Sequence, residues 1–163
     1  MDAWWESLRL LLLLGVANIA PIAAKRLLGE RGQAPIDAGL RFFDGRPLLG
    51  PSKTWRGLAA ALVLTTPAAL LLGLPAAVGA LLGAGAMAGD ALSSFIKRRL
   101  GIASSGRATG LDQIPEALLP LLLVAGMLDL SWLQIVAVVA IFFVAQIPLA
   151  HWSHRLGLRD RPY

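Results

Sequence analysis

Long apolar runs dominate this chain and constrain its fold more than any other feature. Of its 163 residues, 56% are hydrophobic and only 15% are charged, whereas a soluble domain carries about 25% charged residues. Such a chain is predicted to lie in a bilayer, where the length allows about five spanning helices of about 20 residues each. Because cysteine is absent, disulfide frameworks and metal sites built on cysteine are excluded.

Five segments meet the requirement for a spanning helix, and residues 1–163 are expected to form one all-α polytopic membrane domain. The predicted spans are 8–28, 58–74, 76–96, 114–128 and 132–151. Tight turns at 73–75 and 129–131 join two pairs of these spans into helical hairpins. Two longer polar loops remain, at 29–57 and 97–113.

The basic residues indicate how the five predicted spans are oriented. All of the 15 Lys and Arg residues except Arg9 fall in the two polar loops with their edges and in the C-terminal tail, and cytoplasmic flanks are enriched in these residue types. These segments share one side only if the N-terminus is outside and the C-terminus is cytoplasmic. The two cytoplasmic loops would then form the polar site. The net charge of +5 is expected to face membrane or substrate phosphates, and no nucleic acid.

Asp90 is a carboxylate inside the third predicted span, where a charge near the bilayer centre costs about 2.5 to 3.5 kcal/mol. Helical spacing puts Asp90, Ser93 or Ser94, and Lys97 on one stripe that leads to the cytoplasmic end. Such a stripe could hold a hydrated metal ion at Asp90 and a phosphate at Lys97. The alternative is a structural ion pair of Asp90 with Lys97 or Arg98.

The first polar loop interleaves acidic and basic residues, among them Asp37 and Asp44. It ends in the run Gly50-Pro51-Ser52-Lys53-Thr54-Trp55-Arg56-Gly57. Backbone amides beside a glycine, together with a lysine ammonium, suit phosphate oxygens. The run is not a P-loop, because the spacing of that motif is missing and no strand precedes it. As an alternative, Trp55, Lys53 and Arg56 could anchor the loop at the membrane interface.

Other polar residues in or beside the predicted spans each have two interpretations. Asn18 could contact a substrate or bond a neighbouring helix. Asp112 and Glu116 are four residues apart and are expected to share a face at the start of the fourth span. Capping of that helix would by itself explain Asp112.

Glycines in the third predicted span form two small-xxx-small pairs, 79/83 and 85/89. Such pairs let helix backbones approach closely in lipid. We predict that they pack neighbouring helices, either within the chain or in a homodimer.

Blocks 35–57, 89–99 and 111–113 together carry a family resemblance. They include the runs Lys53-Thr54-Trp55-Arg56-Gly57, Gly89-Asp90, Lys97-Arg98-Arg99 and Leu111-Asp112-Gln113. In this order they resemble the CDP-archaeol synthase family, which is related to the CDP-diacylglycerol synthases. The resemblance extends over nearly the whole chain.

The resemblance implies transfer of CMP from CTP to a membrane lipid phosphate, ether-linked isoprenoid or phosphatidate-like, with Mg²⁺ as cofactor and pyrophosphate as the second product. The catalytic residues expected on this basis are Asp90, Lys97, Asp112 and Lys53. The expected substrate-binding residues are Asn18, Asp37, Asp44, Lys53, Thr54, Arg56, Ser94, Lys97, Arg98 and Arg99. Asp90 and Asp112 correspond to metal ligands; the family's next acid is replaced by Pro115, and Glu116 could substitute for it.

Two other classes of protein compete with this prediction. A small ion-coupled transporter would explain Asp90 and Asn18 as an ion path, but the outer halves of the spans are otherwise almost wholly apolar. A lipid-binding scaffold would explain the basic loops but not the deep carboxylate. We therefore expect an enzyme of the cell membrane whose site faces the cytoplasm and whose partners are CTP, a lipid phosphate and the bilayer.

Overall fold

The computed structural model describes residues 3–104, 106 and 108–155, with side chains for 4–104, 106 and 108–146. Within these residues the chain forms five helices and no strand. They are α1 (Ala3–Leu28), α2 (Trp55–Leu71), α3 (Ala76–Arg99), α4 (Ile114–Val124) and α5 (Trp132–Arg155). The predicted all-α class is confirmed. The C-terminal tail after residue 155 and Arg107 lie outside the described residues.

Several helix boundaries differ from the predicted spans: α1 begins earlier, at Ala3, α2 and α4 end earlier, at Leu71 and Val124, and α5 continues to Arg155. At two further boundaries polar residues continue a helix. α2 begins at Trp55, three residues early, because the Thr54 hydroxyl accepts a hydrogen bond from the Gly57 N–H at 3.2 Å and so caps the helix. α3 continues through Lys97–Arg99, where basic side chains favour a helix C-terminus. The first polar loop is therefore 29–54 and the second is 100–113.

Two helices, Trp4–Leu28 and Ala76–Arg99, are long and apolar enough to cross a membrane by length and composition. The other apolar helices in the searched residues are shorter: Trp55–Leu71, Ile114–Val124 and Trp132–Gln146. Large apolar side chains cover the outside of the bundle; Leu71, for example, is 89% exposed, which suits lipid better than water. Five crossings and their orientation stay predictions.

α3 packs against α2 on one side and α4 on the other, and its glycines make both contacts possible. A Cβ atom on Gly79 would lie 2.7 Å from the Cβ of Ala69 in α2. A Cβ atom on Gly89 would overlap the carbonyl oxygen of Pro115 in α4. The predicted packing role of the glycine pairs is confirmed, and they act within the chain. A homodimer stays a prediction.

Candidate functional site

An ion pair joins the first polar loop to the middle of the bundle. Lys53 Nζ donates to Asp90 Oδ2 at 2.6 Å, and the two side chains are 15% and 33% exposed. The alternative pairing of Asp90 with Lys97 or Arg98 is wrong, because the loop brings a lysine from outside the helix. Asp90 and Lys53, both predicted as catalytic residues, are thus brought together.

A cleft of about 330 Å³ opens beside this pair, between α1, α2, α3 and the two loops. Lys53, Thr54, Arg56 and Asp90 belong to its wall, together with Pro21, Lys25, Gln33, Ile36, Pro51, Ser52, Gly57, Leu58, Met87, Ala91 and Ser104. One part of the lining is cationic and polar, and another part is apolar. The cleft can therefore hold an anionic group and a hydrocarbon group side by side.

Several cleft residues were missed by the sequence analysis, notably Lys25, Gln33, Met87 and Ser104. Lys25 lies in the last turn of α1, and its positive charge beside the first polar loop is the one sequence signal that could have identified it as a site residue. Ser104 belongs to the second loop, and its hydroxyl lies near Gly50 of the first loop. Ser104 therefore reaches the cleft only because the two loops fold against each other.

Asp37 organises the first loop from a buried position. Its carboxylate accepts hydrogen bonds from the backbone N–H groups of Gly39, Leu49 and Gly50 at 2.9 to 3.1 Å, and the residue is 5% exposed. Burial acts to raise the pKa of Asp37, but these hydrogen bonds outweigh it and hold the pKa below the ordinary value of 3.8. The structure thus gives Asp37 a positioning role, while a direct contact with substrate stays a prediction.

The lowered pKa of Asp37 predicts that the first loop loosens in acid. Because the folded pKa lies below the unfolded one, the carboxylate stabilises the loop above about pH 4, and this contribution is lost as the pH falls through the folded pKa. Hydrogen exchange at the Leu49 and Gly50 amides, corrected for intrinsic rates, should therefore become faster as the pH falls below about 4. In Asp37→Asn the same amides should exchange rapidly at every pH; unchanged protection in the variant would contradict the positioning role.

A second ion pair holds the second polar loop against the end of α3. Lys97 Nζ lies 2.5 Å from Asp112 Oδ1 and also donates to the Gly106 carbonyl at 3.2 Å. The other Asp112 oxygen accepts from the Ala108 N–H at 2.9 Å. The capping interpretation of Asp112 is wrong, because Gln113 is the N-cap residue of α4 and makes no side-chain capping bond.

Glu116 turns away from Asp112 and bonds α1 instead. Asn18 Nδ2 donates to Glu116 Oε1 at 2.5 Å, and Glu116 is 8% exposed. The predicted shared face is wrong, because α4 begins only at Ile114 and Asp112 precedes it. Within the described residues no three or more His, Asp or Glu side chains are grouped to hold a metal ion. A Mg²⁺ site on Asp90, Asp112 and Glu116 stays a prediction.

Ser94 and Arg98 are buried on the C-terminal half of α3, with exposures of 2% and 5%. The Arg98 Nε atom is buried and has no hydrogen-bond partner among the described residues. A buried, unsatisfied guanidinium nitrogen calls for a ligand or water. Arg98 shares this feature with two other predicted binding residues, Arg56 and Arg99, and is itself 5% exposed.

Asp44 and Arg99 bind each other away from the residues that line the cleft. Arg99 Nη1 donates to Asp44 Oδ1 at 2.9 Å, and the guanidinium lies over the rings of Phe42 and Phe95 at 4.7 and 5.0 Å. This contact fixes a hairpin of the first loop to the end of α3. A substrate contact for either residue stays a prediction.

Comparisons with known proteins point to one family. The family model for CarS-like CDP-archaeol synthase matches residues 5–163. The CDP-archaeol synthase of Hyperthermus butylicus is 46% identical over 104 residues, which cover 60% of this chain and 59% of that protein. The CDP-archaeol synthase of Methanococcus aeolicus is 36% identical over 152 residues, covering 79% and 83% respectively.

A solved structure described as an intramembrane enzyme for archaeal membrane lipid biosynthesis is also similar. Its TM-score is 0.72 at 33% sequence identity, and the alignment covers 88% of this chain and 92% of that one. The range matched by the family model includes both polar loops and the residues of both ion pairs.

Proposed function

This chain belongs to the CDP-archaeol synthase family, and on that premise we propose that it transfers the cytidylyl group of CTP to an archaeal lipid phosphate. The observation that carries the proposal is the cleft bounded by Lys53 and Asp90, which combines a cationic wall with an apolar one. A nucleoside triphosphate needs the first and a lipid needs the second. The transporter alternative has no support from the family or from the similar structure.

Magnesium fits the chemistry of the proposed site. Asp90 and Asp112 offer hard carboxylate oxygens, and their side chains are 33% and 28% exposed. Mg²⁺ is commonly held by only one or two carboxylates together with water and substrate phosphates, so a group of three protein ligands is not required. When bound, the ion would supply charge neutralisation on the triphosphate.

Cations on the first loop and on α3 would do the remaining electrostatic work. Lys53 and Lys97 now neutralise Asp90 and Asp112, and we propose that each ammonium group contacts phosphate oxygens when CTP is bound. Arg98 would add its unsatisfied Nε. Fixed positive charge where negative charge develops is the main means of accelerating such transfers.

The reaction itself is a substitution at the α-phosphorus of CTP. An oxygen of the lipid phosphate forms the new bond to this phosphorus, and the bond from the α-phosphorus to the oxygen bridging to the β-phosphorus breaks. The bonding electrons leave with pyrophosphate. A phosphate monoester is already largely ionised near neutral pH, so a strong general base is not needed.

The apolar side of the cleft favours entry of the lipid from the bilayer. Ile36, Leu58 and Met87 line the same cleft as the ion pair, so hydrocarbon could lie beside a phosphate bound at Lys53. We propose that this face is cytoplasmic. The basic residues concentrate in the two loops that border the cleft, cytoplasmic flanks are enriched in such residues, and CTP is a cytoplasmic nucleotide.

Pyrophosphate release by the purified protein tests the proposed function. The protein in detergent receives CTP, Mg²⁺ and either a diether isoprenoid or a diacyl glycerol phosphate, with an EDTA control. We expect metal-dependent release with the diether lipid and formation of the CDP-lipid in equal amount. Absence of release with both lipids would overturn the proposal.

Lys53→Ala should weaken the use of CTP much more than the use of lipid. A hydrogen bond to a charged group contributes about 1.5 to 3 kcal/mol, so we expect KM for CTP to rise by about tenfold or more. Arg26→Ala, which removes one exposed cation in the last turn of α1, is the matched control. Equal effects on the CTP and lipid titrations would instead indicate that Lys53 only anchors the loop.

A further inference from the structure

A rigid hairpin of the first polar loop presents an aromatic side chain that the proposed reaction does not use. The hairpin spans residues 40–48. Its hydrogen bonds run from Leu48 N to the Leu40 carbonyl at 2.8 Å and from Gly45 N to the Phe42 carbonyl at 2.9 Å. Gly45 has a φ of +75°, as such a turn requires. Phe43 stands at the tip and is 99% exposed.

The hairpin is fixed beside α3 rather than free above it. Arg99 reaches the Pro47 carbonyl at 2.6 Å in addition to Asp44. The Phe42 ring lies 5.3 Å from the Phe95 ring, edge to face, and 5.1 Å from the Phe43 ring. Phe95 precedes Arg99 by four residues, so it lies about 6 Å farther toward the other end of the helix.

These contacts set the depth of the hairpin relative to the bilayer. The 24 residues of α3 extend about 36 Å, which exceeds the hydrocarbon thickness of about 30 Å. The basic last turn therefore reaches the headgroups, where lysine and arginine are favoured. Phe42 contacts Phe95, one turn below this level, and also the Arg99 guanidinium. If α3 spans the bilayer, Phe43 beside it would therefore lie near the boundary between headgroups and acyl chains.

We propose that Phe43 inserts into the bilayer surface and that the hairpin is a membrane-docking element. Aromatic side chains favour this boundary, and three arginines of the hairpin and its clamp, Arg41, Arg46 and Arg99, outnumber the lone Asp44, which suits anionic headgroups. A protein partner is disfavoured, because a ring buries about 150 to 250 Å² whereas a stable interface needs about 1,200 Å².

Docking would fix the height of the first loop above the lipid phosphates. The hairpin lies between Asp37, which organises the loop, and Lys53 in the cleft. This role is independent of the reaction, so the proposed function and the docking element can fail separately.

The absence of cysteine from the sequence allows a direct test with a single probe. Phe43→Cys, labelled with an environment-sensitive fluorophore, is placed in phosphatidylcholine–phosphatidylglycerol vesicles. We expect a blue-shifted emission and quenching by lipids that carry a spin label high on the acyl chain. Glu30→Cys, an exposed residue of the same loop, is labelled as the control and should stay closer to its emission in water. Because Phe43 is almost fully exposed, its replacement should not disturb folding.

Two results would overturn the proposal. One is a Phe43→Cys label that is no more blue-shifted or quenched than the Glu30→Cys label. The other is a blue shift of the Phe43→Cys label that grows with the number of protein molecules per vesicle but is not accompanied by quenching from the spin-labelled lipid. That result would indicate contact with a second copy of the chain. Arg46 also holds the hairpin, by donating to the carbonyls of Arg98 and Arg99 at 3.2 and 2.5 Å, so Arg46→Ala and Arg99→Ala are added together. This pair of substitutions should loosen the hairpin and reduce quenching; unchanged quenching would overturn the assigned clamp.

Discussion

Asp90→Asn is expected to abolish cytidylyl transfer while leaving the helical bundle folded. The substitution keeps the size of the side chain but removes the charge that Lys53 neutralises at 2.6 Å and replaces one of the two carboxylate oxygens, the hard ligands that Mg²⁺ prefers, by an NH₂ group. Loss of a preorganised electrostatic group at a reacting centre typically costs about 100-fold to 1,000-fold in kcat. We expect a loss of at least this size, measured as CDP-lipid formation at saturating CTP and lipid.

Asp129→Asn is the matched control for this prediction. Asp129 is exposed in the turn between α4 and α5, and its positive φ of 49° is one that asparagine also tolerates. The same chemical change far along the chain from the ion pairs should leave activity and apparent melting temperature unchanged. Near-normal turnover in Asp90→Asn would remove Asp90 from the site.

Lys53→Ala in the Asp90→Asn background reports whether the two residues act as a unit. Residues in direct contact are not additive, so the double variant should be little worse than Asp90→Asn alone. If the fold-losses in activity of the two single variants multiply in the double variant, Lys53 and Asp90 contribute separately. The comparison requires an assay sensitive enough to follow the slowest variant.

The sequence predicted the helices and the polar residues better than it predicted their pairing. Apolar length is a local property, so all five helices could be located, although several ends were not: α1 and α2 begin earlier than predicted, α2 and α4 end earlier, and α3 and α5 end later. Asp90 was also visible locally, as a charge within an apolar run. Its partner was not, because Lys53 is 37 residues away and reaches it only through the path of the first loop.

The same reason explains the assignments that changed. Asp37 was predicted to bind substrate, and the structure adds a positioning role that the sequence did not indicate, because the carboxylate accepts hydrogen bonds from three backbone N–H groups. Glu116 was placed beside Asp112 on the assumption that one helix carried both, whereas the helix begins between them. For Glu116 a short-range rule was applied across the end of a loop, and the conformation of a loop depends on contacts distant in sequence.

The glycines of α3 connect the packing of the bundle to the placement of the site. Gly89 precedes Asp90, and the backbone of α4 at Pro115 lies against it. Gly85 likewise meets Pro120, with only 2.6 Å between its virtual Cβ and the Pro120 Cα. Because the neighbours are backbone atoms, they cannot move aside as a side chain could. The crossing of α3 and α4 therefore sets how the Asp112 loop lies relative to Asp90.

Gly89→Ala should destabilise the protein and lower its activity together. Overpacking typically costs about 1 to 3 kcal/mol, and contact with backbone places this site at the upper end. Gly15→Ala is the control, since its Cβ would have no neighbour within 4 Å and alanine is favoured over glycine in a helix by about 1 kcal/mol. Apparent melting temperatures at one fixed scan rate should fall for Gly89→Ala and hold or rise for Gly15→Ala. A Gly89→Ala protein as stable as the parent would mean that α3 and α4 are farther apart than described, and that the two carboxylates are placed by the loops alone.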